Sequence, residues 1–193
     1  MTGRTYYAPH GGLPPQTELH TGRAVFTEAY AVIPRGVMSD IVTSYLPFWE
    51  GTRLWMLSRP LSGFSETFSQ YVMEVQPGGG SDRPEPEADA EAVLFVVEGE
   101  LTVTLDGERH VLTPGGYAYL PPASGWTARN EGGETARFHW IRKAYEFVED
   151  LDVPEALFLN EADIAPVPMP DTNSAWATTR FVDPDDLRHD MHV

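Results

Sequence analysis

VLFVVEGELTVTLDGERHVLTPGGYAYLPP, residues 93–122, decides the fold class. Its apolar runs are too short for helices, and turn residues separate them. LTVTL (101–105) alternates apolar and polar side chains, so that one face meets a core and the other meets solvent. Asp106–Gly107 is a residue pair suited to a two-residue type I′ turn, and RHVL (109–112) answers as the returning strand. Pro114, Gly115 and Gly116 make a second turn, and YAYL (117–120) leaves it as a further strand.

The same pattern extends outward. EGGETA (131–136) is another turn, and RFHWIRKAYEFV (137–148) is a long last strand. Upstream, FSETFSQYVMEVQPGGG (64–80) changes parity between Phe64, Glu66, Phe68 and Tyr71, Met73, Val75, which predicts a bulge or two strands. SDRPEPEADAEA (81–92) is acidic and Pro-rich and reads as a loop. These elements make about eight strands of a small antiparallel barrel. We divide the chain into an N-terminal arm with added strands (1–62), a barrel (63–148), and a Pro-studded linker with the opening of a further unit (149–193). The linker is expected to cross away from the barrel. The segment 178–193 is expected to dock on the barrel, to pair with another chain or to stay unstructured, with pairing into a homo-oligomer favoured because its apolar residues need a cover.

Composition narrows the function. The 193 residues carry 29 acidic against 13 basic side chains, a formal charge of −16, which repels nucleic acid and anionic membrane surfaces. There is no cysteine, hence no disulfide, thiolate nucleophile or thiolate metal site, in keeping with a cytoplasmic protein. No stretch approaches the apolar length of a membrane span, and the N-terminus has no secretory h-region. No serine–histidine–aspartate set, P-loop or dinucleotide fingerprint is present.

EGEL (98–101), DG (106–107), PGG (114–116), LPP (120–122) and Asn130 stand at the spacings of a cupin, and residues 78–142 resemble one. The expected fold is therefore all-β, a cupin-type double-stranded β-helix or jelly roll, with added N-terminal strands and a C-terminal extension. GGYAYLPPAS (115–124), the RKAYE exit (142–146), the Pro-rich linker and DDLRHDMHV (185–193) further resemble the N-terminal portion of the bicupin (S)-ureidoglycine aminohydrolases, also known as glyoxylate-induced or allantoin-catabolism proteins. That resemblance implies two cupin domains. The second holds Mn²⁺ through a Glu, two His and a Gln and releases ammonia from ureidoglycine in purine degradation, and the first has lost its metal. Metal-ligand positions of a cupin fall here on Pro86, Ala88, Ala92 and Trp126, none of which supplies a donor side chain. The chain would then be the scaffold half, with no cofactor of its own, no catalytic residue and no turnover alone. It would pack against a second cupin and build a homo-oligomer. The alternative is a stand-alone metal-free cupin that binds a small ligand or a protein and catalyses nothing.

The candidates for lining a remaining pocket are Tyr117, Tyr119, Ser124, Trp126, Arg129, His139 and Trp140, because cupin barrels are open at one mouth. His139 alternates with Phe138 and Trp140, and it is placed among the candidates for the barrel interior. Glu85, Glu87, Asp89 and Glu91 alternate and, on a strand, would present one row of carboxylates to a hard cation. Pro84 and Pro86 favour a solvated acidic loop instead. His189 and His192 point to opposite faces of an extended chain and make no joint metal site.

Overall fold

The computed structural model describes residues 25–26, 30–33, 46–58, 67–171 and 173–193. The arm over residues 1–20, and Phe64 and Glu66 of the predicted parity change, lie outside them. Strands β1 (Val25–Phe26) and β2 (Ala31–Val32) pair with each other. The main sheet is built from β3 (Glu50–Ser58), β4 (Phe68–Ser81), β5 (Ala90–Glu98), β6 (Leu101–Leu105), β7 (Glu108–Leu112), β8 (Gly116–Leu120), β9 (Trp126–Arg129), β10 (Ala136–Ala144) and β11 (Leu157–Asn160). Short strands β12 (Val167–Pro168) and β13 (Ala177–Thr178) form a hairpin. No α-helix occurs among the described residues, only one 3-10 turn at Glu161–Asp163.

The main sheet runs β11-β8-β5-β10-β4-β9-β6-β7, with β3 added beside β4, and all its pairings are antiparallel. It curls into the nearly closed jelly roll expected from the sequence. Between Phe68 and Ala144 there are seven strands rather than eight, because Phe68–Ser81 is a single long strand. The added strand is β3, which supplies the predicted N-terminal reinforcement.

Local chemistry explains the turns. Asp106 and Gly107 both take positive φ, 52° and 83°, as a type I′ turn requires, and Leu105 pairs with Glu108 across it. Gly80 has φ of 143°, and a Cβ there would lie 2.1 Å from the carbonyl oxygen of Ala128. Only glycine lets β4 approach β9 this closely.

Strand β5 is apolar at nearly every position because it is covered on both faces. Ala92, Leu94 and Val96 point into the barrel with Met73, Leu120, Trp126 and Phe138. Val93 and Phe95 point the other way, to a second cluster with Tyr117, Tyr119, Phe181, Val182 and Met191. That second cover is the C-terminal segment. The predicted linker does not leave the barrel: Leu157–Asn160 pairs with β8 and extends the sheet. The final residues dock on their own sheet rather than standing free, since Phe181 stacks on Tyr117 at 4.2 Å and Val182 and Met191 are buried. An alternating strand with apolar side chains left on its outer face needs such a cover.

Asn130, fully buried, pins the far end of the barrel. Its Nδ2 donates to the carbonyls of Val75 at 2.8 Å and Glu134 at 2.7 Å, and its Oδ1 accepts from Gly132 N–H at 3.0 Å. Its backbone exchanges hydrogen bonds with Gly78 and Gly79. One amide thus ties β4, β9 and the turn into β10. Replacing Asn130 by Ala or by the acceptor-only Asp strands the Val75 and Glu134 carbonyls, and should lower unfolding stability by about 3 kcal/mol in urea titrations. A near-neutral Asn130→Asp would show that the amide donor is not what holds this corner.

Candidate functional site

The interior of a cupin barrel is the natural place for chemistry, and here its strands fill it with rings. β9 brings in Trp126, β10 brings Phe138 and Trp140, β4 adds Tyr71, and the turn before β3 adds Trp49. Trp140 is at their centre, 5.7 Å from Trp49, 5.5 Å from Tyr71 and 6.3 Å from Trp126, the last two edge to face. Such tilted contacts suit the ring quadrupoles and exclude water. Trp126 is 4% exposed.

The loop over residues 82–89 runs beside these rings and is tied to them. Trp49 Nε1–H donates to the Pro84 carbonyl at 3.4 Å, and Arg83 lies over Phe48. The Arg142 guanidinium, 5.9 Å from the Trp140 ring, bonds both Glu85 oxygens and reaches Glu87 at 2.8 Å. The acidic run is therefore only partly the solvated loop that its prolines suggest. Glu85 is buried against Arg142, and Glu91 is a fully buried member of β5.

These positions test whether a metal fits. Pro86 and Ala88 are exposed on the loop, and Ala92 and Trp126 are buried in the aromatic core. None bears a donor atom for a cation. Among the described residues no group of three His, Cys, Asp or Glu side chains is arranged to hold an ion. These residues do not fit the metal of a metallocupin.

The seven pocket candidates separate. Trp126 and Trp140 meet in the interior. Tyr117 and Tyr119 lie on the opposite face of β8, under the C-terminal segment, because Ala118 and Leu120 take the inward positions. His139 likewise alternates away from inward-facing Phe138 and Trp140, next to Phe95 and Val72 in the sheet register, and burial holds its imidazole below the ordinary value. Ser124 closes its own turn by donating to the Pro121 carbonyl, and Arg129 pairs with Asp82 at 2.8 Å near the rim. A separate open groove of about 810 Å³ runs between β7 and β11, where His110 stacks on Phe158.

Sequence reasoning missed a polar centre beneath the tail. Tyr119 Oη donates to Glu91 Oε2 at 2.7 Å, and Asp190 Oδ2 accepts from Lys143 Nζ at 2.8 Å and Glu146 N–H at 2.9 Å. Burial, aided by a hydrogen bond with Asp190, pushes the Glu91 carboxyl up to about 8. The signal available was a glutamate inside an otherwise apolar strand, AEAVLFVVE. Asp190, far away in sequence, gave none.

If Trp126 fills the space a metal would need, Trp126→Ala should cost about 3–5 kcal/mol in chemical denaturation, the range for truncating a large core aromatic. Unchanged stability would place the indole outside the load of the core.

Comparison with known proteins agrees with this geometry. The cupin domain family model matches residues 71–142. The chain is 29% identical over 116 residues to the (S)-ureidoglycine aminohydrolase of Escherichia coli (strain K12), covering 60% of this chain and 42% of that protein. It thus spans less than half the length of this curated relative. Among solved structures, the putative glyoxylate-induced protein from Pseudomonas aeruginosa superposes with a TM-score of 0.84 at 60% identity, over 98% of this chain and 68% of that one. The Escherichia coli protein Ylba shares the fold, with a TM-score of 0.72 at 22% identity over 88% of this chain and 65% of that one. A jelly roll of this topology, 60% identical over almost all of its length to the glyoxylate-induced protein, belongs to the cupin family.

Proposed function

We propose that this chain is the metal-free scaffold cupin of a ureidoglycine aminohydrolase-like enzyme of purine and allantoin breakdown. The observation that carries the reading is the barrel interior: Trp49, Phe138, Trp140 and Trp126 occupy the volume in which a metallocupin holds its ion and substrate. The relationship to (S)-ureidoglycine aminohydrolase and to the glyoxylate-induced protein supports the choice of enzyme. In this role the chain contributes surface rather than chemistry. A manganese-holding second cupin performs C–N cleavage and releases ammonia, while the present barrel packs against it and helps build a homo-oligomer in the cytoplasm. Among the described residues no helix is long and apolar enough to cross a membrane.

The stiffness of a filled barrel is useful for such a task. A scaffold must hold its outer surface fixed, and close-packed rings resist deformation. The exposed Phe147, Val148, Leu151 and Val153, just beyond β10, are the apolar surface offered for contact with another unit.

The purified chain with added Mn²⁺ should release no ammonia from (S)-ureidoglycine and should carry no stoichiometric Mn, Fe or Zn by elemental analysis. Mixing it with a manganese-loaded second cupin supplied as a separate polypeptide should restore turnover. Ammonia release by this chain alone would move the active site into this barrel and overturn the scaffold reading.

A further inference from the structure

The polar centre under the C-terminal segment has no role in the scaffold reading, and its hydrogen bonds do not balance unless a proton is counted. Glu91 is fully buried on β5, and Asp190 comes from the tail. Glu91 Oε2 is taken by the Tyr119 hydroxyl, and Asp190 Oδ2 by Lys143 and the Glu146 N–H. The two remaining oxygens, Glu91 Oε1 and Asp190 Oδ1, are buried and have no hydrogen-bond partner. Lys143 stands opposite Glu91 in the sheet register and holds Asp190, which brings the two carboxyl groups into one polar centre. Ionised carboxylates offer only lone pairs, so these two oxygens can satisfy each other only while one proton sits between them.

We propose that residues 181–193 form a proton-dependent clasp, latched to the outer face of the sheet by the proton that Glu91 and Asp190 share, which loosens as the pH rises from neutral to alkaline. When the proton leaves, two negative charges face each other in a buried site with one lysine to offset them. The rest of the docking surface is apolar, with Phe181 on Tyr117 and Phe95, and Val182 and Met191 buried beside them. Loosening would therefore uncover an aromatic face on the barrel.

Other charged and titratable groups surround the latch. From β8 come Tyr117 and Tyr119, whose hydroxyls burial pushes upward. From β10 and its exit come Lys143 and Tyr145, the latter also raised by burial and donating to the Arg188 carbonyl at 2.9 Å. From the tail, Arg188 holds Asp186 well below the carboxylate range by hydrogen bonding. Asp190 is pushed up by burial, but its hydrogen bonds with Glu91, Lys143 and Glu146 outweigh this and hold it low. His189, edge-on to Tyr119 and 6.5 Å from His192, is held below its ordinary 6.5 by burial. It therefore weakens docking only as the pH falls below that value. Glu91 acts in the opposite sense. Its carboxyl titrates near 4.5 when free and near 8 when docked, so docking binds an extra proton between those values and weakens across them as pH rises. Between pH 6.5 and 8 Glu91 is the group expected to dominate.

Hydrogen exchange on the full chain reads this directly. After correction for intrinsic rates, protection of the amides of 182–192 should fall by about tenfold per pH unit from 6.5 to 8 and then level off, while that of β5 stays constant. Glu91→Gln keeps a donor toward Asp190 and an acceptor for Tyr119, and should make tail protection independent of pH in that window. Asp190→Asn places the donor on the other side and should flatten the slope, leaving only what the burial of Glu91 itself contributes. A flat wild-type profile overturns the clasp. So does a wild-type slope retained in Asp190→Asn, whether or not Glu91→Gln still docks its tail.

Discussion

The structure is organised around the burial of β5 on both faces. A strand reading AEAVLFVVE has almost no side that tolerates water, so each face requires its own cover. The inner cover is the set of rings carried by β4, β9, β10 and the turn before β3. The outer cover is supplied from nearly ninety residues further on, by Phe181, Val182 and Met191, together with the Tyr117 and Tyr119 side chains of β8. Edge strand β11 follows from the same demand, since it widens the sheet on the side where the tail settles. Strand β11 and the final residues around Phe181, Val182 and Met191 are thus parts of the barrel's packing.

How much of this could be read in advance depended on the range of the interaction involved. The hairpin over 101–112 was legible because its causes are local: alternation, and a residue pair that accepts positive φ at both central positions. That Pro86, Ala88, Ala92 and Trp126 bear no donor atoms was legible because it concerns what atoms a side chain contains. The side of the sheet was not. Tyr117 and Tyr119 look like lining residues until one knows that Ala118 and Leu120 face inward, and that choice is made by the distant tail as much as by β8. The acidic run misled for a similar reason. Prolines at 84 and 86 describe a loop, but they say nothing of Arg142, which reaches over Trp140 to hold Glu85 and Glu87.

The stretch PPASGWTARN (121–130) separates two kinds of constraint. Asn130 is architectural: each of its amide contacts ends on backbone, and any barrel with this β4–β9 corner has use for it whether or not it holds an ion. Trp126, four positions earlier, bears no donor atom, and the need it meets there is one of volume. Tryptophan answers that need by stacking edge-on against Trp140.

The indole at this position also sets a barrier. A change to imidazole at Trp126 would leave an unfilled space beside Trp140 and bury a polar ring with nothing to bind. Donors at 86 and 88 would have to turn inward from an exposed loop strapped down by Arg142, and neither change helps until the others are present. Each single step toward a metal centre is uphill. Metal binding in this barrel is therefore out of reach of one-substitution changes, because no donor helps until the others are in place.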